Sequence, residues 1–154
     1  MPNLDNILKE IDYALNILFE PSKTEAKDLE LNNEAKKESQ RVMRVNHMGE
    51  VCAQALYRGQ ALSTNDASLK KIILKMCNEE KEHLDMLNVR MSELDGKTSY
   101  LNTIWYMSSF ALGTYVGTLE KNKSFGFIYE TEEQVEAHLD LSLIHISEPT
   151  RLNP

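Results

Sequence analysis

The chain has 154 residues, of which 42% are hydrophobic, and it carries a net charge of -7. This length suits one domain with a single core, and the acidic balance argues against nucleic acid as a partner, because phosphate binding needs clustered Lys and Arg. Cys52 and Cys77 form no C-x-x-C pair and are expected to be small buried residues in a reducing compartment. The polar N-terminus shows no secretory signal pattern, so we expect the protein to face the cytoplasm.

The N-terminal part of the chain has apolar residues at helical spacing. Residues 3–19 are therefore predicted to form an amphipathic helix, with Asn3 as N-cap and Pro21 marking its end. Residues 21–32 are polar and are predicted to form a loop.

Two longer helical patterns follow, at about 33–62 and 67–94. Asp66 can cap the second of them, and Gly96 is expected to close it. The turn signal between the two patterns lies at residues 63–66, so the helices are predicted to fold back as an antiparallel hairpin.

Glu50 lies in the first helix of this hairpin, and Glu80 and His83 lie in the second. The midpoint of positions 50 and 80 falls in the turn, so the two glutamates should lie at nearly the same depth. His83 is one turn from Glu80 on the same face. A carboxylate that faces a Glu-x-x-His pair across a hairpin is half of a di-iron carboxylate site. The alternative is that these are ordinary acids on a solvated face, because Glu-x-x-His also occurs by chance.

Residues 98–119 contain no charged side chain. One interpretation is a fully buried bundle helix, in which Gly113 and Gly117 allow close contact with a neighbour. The other is a helix that presents apolar surface to lipid or to a lipid-like substrate, with Lys97, Lys121 and Lys123 near the headgroups. Its many Ser, Thr and Asn residues make it a weak transmembrane candidate.

A last helix is predicted to begin near Ser124 or Phe125 and is rich in glutamate. Most of its acids should be solvated, because like charges at close helical spacing repel each other. Tyr57, seven residues after Glu50, could reach a site on the same helix face, although ordinary core packing is the simpler interpretation.

Four segments resemble the bacterial demethoxyubiquinone hydroxylases: MRVNHMGEVCAQALY at 43–57, EEKEHL at 79–84, FALG at 110–113 and ETEEQVEAHL at 130–139. The resemblance extends from the N-terminal helix to about Asp140. It implies an all-α, ferritin-like four-helix bundle with an extra N-terminal helix.

The resemblance also implies a set of metal ligands. Carried onto this chain, Glu50, Glu80 and His83 form the first half, and the lone glutamate of the second half matches Glu132. Glu136 is its rival, one turn further along. His138, Glu136 and Tyr57 are candidates for positions beside the ligands or the substrate.

The function implied by the resemblance is a monooxygenase that holds two iron ions. With O2 as co-substrate, it hydroxylates the ring of a polyprenylated demethoxyubiquinol in ubiquinone biosynthesis. Carboxylate and imidazole ligands suit such non-haem iron. The expected location is the cytoplasmic face of the cell membrane, as a peripheral protein. Expected partners are the quinol substrate, the membrane surface and other ubiquinone-biosynthesis proteins.

The C-terminal part departs from the family pattern, because the second Glu-x-x-His is missing. Glu80 follows Glu50 by 30 residues, whereas 22 residues follow Glu132. Residues 141–154 resemble a translated sequencing adapter, so the predicted domain is 1–140, incomplete at the C-terminus, followed by a non-native tail. As written, the chain is expected to bind at most one metal ion weakly, to lack turnover, and to expose a core face that favours a homo-oligomer.

Two other functions remain open at this stage. One is a different ferritin-like protein that stores iron or reduces peroxide. The other is a non-catalytic membrane-bound helical module of a quinone-synthesis complex.

Overall fold

The computed structural model describes residues 3–19, 32–119, 123–131 and 133–134. The helices are α1 (Leu4–Phe19), α2 (Asn33–Ser63), α3 (Ala67–Glu93) and α4 (Asn102–Gly117). Residues 123–131 are also helical. The part of the chain that is described contains no strand, so the predicted all-α class is confirmed. Pro21 and the predicted loop at 21–31 lie outside the described residues.

Polar side chains cap the N-termini of α1, α2 and α3, and two of these caps, Asn3 and Asp66, are as predicted. The Asn6 backbone N–H donates to Asn3 Oδ1 at 2.9 Å, and the Leu69 N–H donates to Asp66 Oδ1 at 2.8 Å. Asn32 caps α2 in the same way. Each cap supplies an acceptor for a backbone donor that has no partner within its own helix.

The end of α3 differs in detail from the prediction that Gly96 closes the helix. Asp95 takes the left-handed conformation, with φ of 52°. Its N–H donates to the Ser92 carbonyl at 3.1 Å, and the Gly96 N–H donates to the Met91 carbonyl at 2.8 Å. This is a Schellman ending, and an aspartate can occupy the left-handed position because its short side chain tolerates that conformation.

Helix α2 is central, because it contacts α1, α3 and α4. Two buried clusters form the core around it. One joins α2 and α3 to residues 123–131 and contains Ala53, Leu56, Tyr57, Ala61, Leu69, Ile73, Cys77 and Ile128. The other joins α1, α2, α3 and α4 and contains Ile17, Val51, Ala55, Leu84 and Tyr106.

Glycines allow α2 and α4 to approach each other closely. A Cβ atom at Gly113 would overlap the Leu56 carbonyl, and one at Gly117 would overlap the Ser63 side chain. On the facing helix, a Cβ at Gly59 would lie 2.8 Å from the Thr114 nitrogen. The predicted close contact through Gly113 and Gly117 is confirmed.

Of the two interpretations of the uncharged segment, the fully buried helix is wrong. Ile104 is 61% exposed, Met107 67% and Tyr115 65%. Helix α4 carries large apolar residues on more than one side, with Ser, Thr and Asn between them, so packing one side against α2 leaves apolar residues on the other side in solvent. Among the described helices, none combines the length and apolarity needed to cross a membrane.

The two cysteines are free, and no disulfide joins them. Cys77 is buried as predicted, whereas Cys52 is only half-buried. Burial raises the pKa of both thiols, so both are in the protonated form near neutral pH.

Candidate metal centre

The hairpin of α2 and α3 brings together three of the side chains that the sequence singles out. Glu50 projects from α2, and Glu80 and His83 project from α3. Each offers one ligand atom, and these three atoms lie within 4.8 Å of one another. The two glutamates therefore do lie at the same depth of the hairpin.

The site lies at the margin of the core. Glu50 is 5% exposed, and the side chains of Glu80 and His83 are 13% and 52% exposed. His83 Nδ1 is 3.2 Å from Glu80 Oε2. Two carboxylates this close in a mostly buried place repel each other, and a cation between them would relieve that repulsion. The donor set of carboxylate oxygens and one imidazole nitrogen fits non-haem iron.

The other predicted site residues are Tyr57, Glu132, Glu136 and His138. Tyr57 is 1% exposed and belongs to the buried cluster between α2 and α3. Glu132, Glu136 and His138 lie outside the residues whose side chains are described. Their predicted roles, and that of Tyr57, stay predictions.

One turn away from the glutamates lies a buried polar group that the sequence does not reveal. Gln54 Oε1 accepts from the Tyr13 hydroxyl at 2.5 Å and from the Cys77 thiol at 3.0 Å. Gln54 Nε2 donates to the Cys77 carbonyl at 2.9 Å. Burial raises the pKa of the Tyr13 hydroxyl and the Cys77 thiol, which keeps both protons in place for donation.

A second polar group surrounds His47, one turn before Glu50 on α2. His47 Nε2 is 2.9 Å from Asn88 Oδ1, and His47 Nδ1 is 3.4 Å from Asn102 Nδ2. A neutral ring with its proton on Nε2 satisfies both contacts. Burial lowers the pKa of His47, in agreement with a neutral ring. The only signal for His47 in the sequence is its three-residue spacing from Glu50. Nothing in the sequence indicates that Asn88 on α3 and Asn102 on α4 are its partners.

Helix α1 is held to α2 by charge as well as by apolar packing. Arg58 donates two hydrogen bonds to the Glu10 carboxylate, both at 2.7 Å. The Arg58 guanidinium also lies over the Tyr13 ring, 4.2 Å from its centroid. These contacts fix the position of Tyr13 above Gln54.

The matches to known proteins all indicate the same family. The family of the ubiquinone biosynthesis protein COQ7 matches residues 37–151. A 3-demethoxyubiquinol 3-hydroxylase of Nitrosospira multiformis is 44% identical over 146 residues, which cover 90% of this chain and 70% of that protein. The enzyme of the same name from Nitrosomonas eutropha is 45% identical with the same coverage.

A further relative, the 3-demethoxyubiquinol 3-hydroxylase of Aromatoleum aromaticum, is 41% identical over 150 residues, or 93% of this chain and 73% of that protein. No solved structure matches the chain. The family match includes both the Glu50 segment and the Glu80–His83 segment. The chain therefore belongs to the COQ7 family of ubiquinone biosynthesis proteins, a ferritin-like helical family whose relatives are named as hydroxylases.

Proposed function

We propose that this protein is a di-iron monooxygenase that hydroxylates the ring of a polyprenylated demethoxyubiquinol, with O2 as co-substrate. The observation that carries the proposal is the convergence of Glu50, Glu80 and His83 within 4.8 Å on the hairpin. Family membership supports it, because the curated relatives are named 3-demethoxyubiquinol 3-hydroxylase.

Glu50, Glu80 and His83 would hold iron from one side of the bundle, and Glu132 is the proposed ligand from the other. Bound iron would supply the activation of O2 and the transfer of one oxygen atom to the ring. The balanced reaction replaces one ring C–H by C–OH and reduces the second oxygen atom to water. It consumes two electrons from a reduced quinone or a nicotinamide and two protons.

The residues of this chain have separate tasks in that reaction. Glu50 is mostly buried and would hold the metal ion at the edge of the core. His83 is half-exposed and so lies on the side that solvent reaches. Glu80 has an exposure between those of the other two and contacts His83, which orients the imidazole.

The test is a comparison of neighbouring glutamates. We expect Glu80→Gln to weaken Fe2+ binding by at least about 100-fold, since even contacts outside the ligand set typically contribute 10- to 100-fold. Fe2+ binding is measured anaerobically, and incorporation of 18O from labelled O2 into the quinol ring is measured by mass spectrometry.

The matched control is Glu79→Gln. Glu79 is adjacent in sequence but lies on the surface, where it pairs with Lys75 at 3.1 Å. This variant should bind Fe2+ as the wild type does. Equal Fe2+ binding by Glu80→Gln and the wild type would rule out the proposed site.

The proposal includes contact with a membrane as a peripheral protein on its cytoplasmic face. The support is a set of exposed hydrophobic side chains on α4 and on α1, two helices that contact each other, and we call this set the apolar face. It consists of exposed large hydrophobic residues: Leu4, Leu8, Ile11, Leu15 and Phe19 on α1, and Ile104, Trp105, Met107, Leu112 and Tyr115 on α4. Such a surface suits an isoprenoid tail that partitions into lipid.

A non-catalytic membrane-bound helical module is the second candidate, and the apolar face favours it equally. Turnover separates the two, because the module would bind membranes without oxygenating a quinol.

We further propose that residues 1–140 form the hydroxylase domain and that 141–154 are not encoded by the gene. Genomic sequence that continues through the same codons would contradict the second statement.

A further inference from the structure

We propose that Gln54 is a positioning residue, which holds the two helices of the hairpin in the register that brings Glu50 and Glu80 together. This inference rests on the proposed metal site and assigns it a support that lies outside the ligand set. It is carried by the contacts of one fully buried side chain on α2 with Cys77 on α3 and Tyr13 on α1.

Gln54 lies close to the proposed ligands along its helix. Gln54 follows Glu50 by four residues on α2, and Cys77 precedes Glu80 by three residues on α3. Residues three or four apart lie on the same face of a helix. The contact between Gln54 and Cys77 is therefore one turn from each glutamate.

The contact with Cys77 uses both the oxygen and the nitrogen of the Gln54 amide. The oxygen accepts from the Cys77 thiol at 3.0 Å, and the nitrogen donates to the Cys77 carbonyl at 2.9 Å. One residue of helix advances by about 1.5 Å. A slip of α3 along α2 by that distance would break both hydrogen bonds and strand polar groups in the core, which is unfavourable.

Helix α1 also contributes a hydrogen bond to the Gln54 amide. Tyr13 donates to Gln54 Oε1 at 2.5 Å, and Tyr13 is itself held beneath the Arg58 guanidinium. Gln54 is 0% exposed, so no water competes for these contacts. The amide is thereby held in one orientation by groups from α1 and α3.

The register of α2 against α3 determines the distance between Glu50 and Glu80. A metal ion requires its ligands at fixed distances, and groups that orient ligands commonly contribute 10- to 100-fold to metal affinity. Loss of the Gln54 contacts would leave Glu50 and Glu80 on their helices, but the distance between the two carboxylates would vary more.

The experiment compares Gln54→Met with Gln60→Met in the full chain, with Co2+ as the probe. Gln60 is a matched control: it is on the same helix, is also 0% exposed, and donates to Ser124 Oγ at 2.8 Å and to the Ser124 carbonyl at 3.1 Å. It is ten residues beyond Glu50, or about 15 Å along the helix. Both changes remove buried hydrogen bonds, but only one removes them beside the ligands.

We expect Gln54→Met to weaken Co2+ binding by about 10- to 100-fold and to shift the visible absorption bands of bound Co2+. Gln60→Met should lower the melting temperature of the metal-free protein comparably, yet keep the Co2+ dissociation constant within about twofold of the wild type. Calorimetry gives the affinity, and the bands report the coordination geometry, which a general loss of stability does not change.

If Gln54→Met binds Co2+ with wild-type affinity and shows the wild-type absorption bands, the positioning role is overturned, whereas the metal site is not. A wild-type protein that binds no Co2+ would overturn the metal site itself. If Gln54→Met does not fold, Gln54→Asn serves instead, because its amide is one methylene shorter and cannot reach both Tyr13 and Cys77. The same weakening supports the proposal, and unchanged binding overturns it.

Discussion

His47 shows how one buried side chain can tie stability to pH. It is 3% exposed and contacts Asn88 on α3 and Asn102 on α4. Burial lowers its pKa from the ordinary value, and the hydrogen bond to Asn88 opposes this shift only partly. The folded protein therefore favours the neutral ring more strongly than the unfolded chain does.

The pH dependence follows from that difference. Below about pH 6.5 the unfolded chain binds a proton at His47 that the folded protein resists, so the free energy of unfolding should fall as the pH falls. The loss begins near the unfolded pKa and is complete below the lowered folded pKa. Urea unfolding between about pH 7.5 and 5 measures it.

The control for this prediction is His47→Gln, which keeps a polar side chain but cannot titrate. Its unfolding free energy should depend less on pH over the same window, because the other histidines contribute equally to both proteins. Identical pH profiles for the two proteins would show that His47 does not carry the effect.

At the scale of elements, the contact of α2 with α4 depends on the absence of side chains. A Cβ at Gly113 would overlap backbone atoms of Leu56, which cannot move aside without shifting the helix. The same closeness explains why both glycines of α4 are on the side that faces α2. The sequence pattern of Gly113 and Gly117 predicts this contact, but does not say which helix is the partner.

We expect Gly113→Ala to destabilise the fold by about 1–3 kcal/mol, because overpacking forces the two helices apart. The matched control is Gly126→Ala, in the helical residues 123–131, where an added Cβ meets nothing within 4 Å. That change should stabilise the protein by about 0.5–1 kcal/mol, the usual gain for alanine over glycine in a helix. The measurement is the urea midpoint, and stabilisation by both changes would contradict the close packing.

At the scale of the whole molecule, net charge and the apolar face determine the expected mode of membrane binding. A chain with a net charge of -7 gains little from anionic lipid headgroups. The apolar face, by contrast, offers large side chains such as Met107, which is 67% exposed. Insertion of apolar side chains does not depend on salt, whereas attraction between charges is screened.

We therefore expect the protein to co-sediment with vesicles of zwitterionic phosphatidylcholine, and to remain bound at about 0.5 M salt. Replacing Ile104 and Met107 by Asn should reduce the partition coefficient by about tenfold or more, given the free energy of burying two large apolar side chains.

The control replaces two exposed apolar residues of α3 in the same way, Ile72 and Met86, which are 40% and 61% exposed. It should bind vesicles as the wild type does, because these residues are outside the apolar face. Equal loss of binding in both double variants would show that general surface apolarity, rather than the apolar face, governs the interaction.

The sequence by itself determined the elements of this protein and three members of its candidate site. Helical periodicity and the caps Asn3 and Asp66 predict α1, α2 and α3 to within one residue or so, because these signals act within a few residues along the chain. The symmetric placement of Glu50 and Glu80 about the turn is also local information. A hairpin of two straight helices leaves little freedom in which residues face each other.

Only the tertiary structure decided what surrounds those residues. The bonds from Gln54 to Tyr13 and Cys77 cross between helices separated by 41 and 23 positions in the sequence. Likewise, the partners of His47 come from α3 and α4. Which side of α4 is buried was equally undetermined, since apolar residues that lie on more than one side of a helix give no periodicity to show which side faces the core. Such contacts depend on how helices dock against one another, and docking is governed by the shape of whole faces rather than by any local pattern.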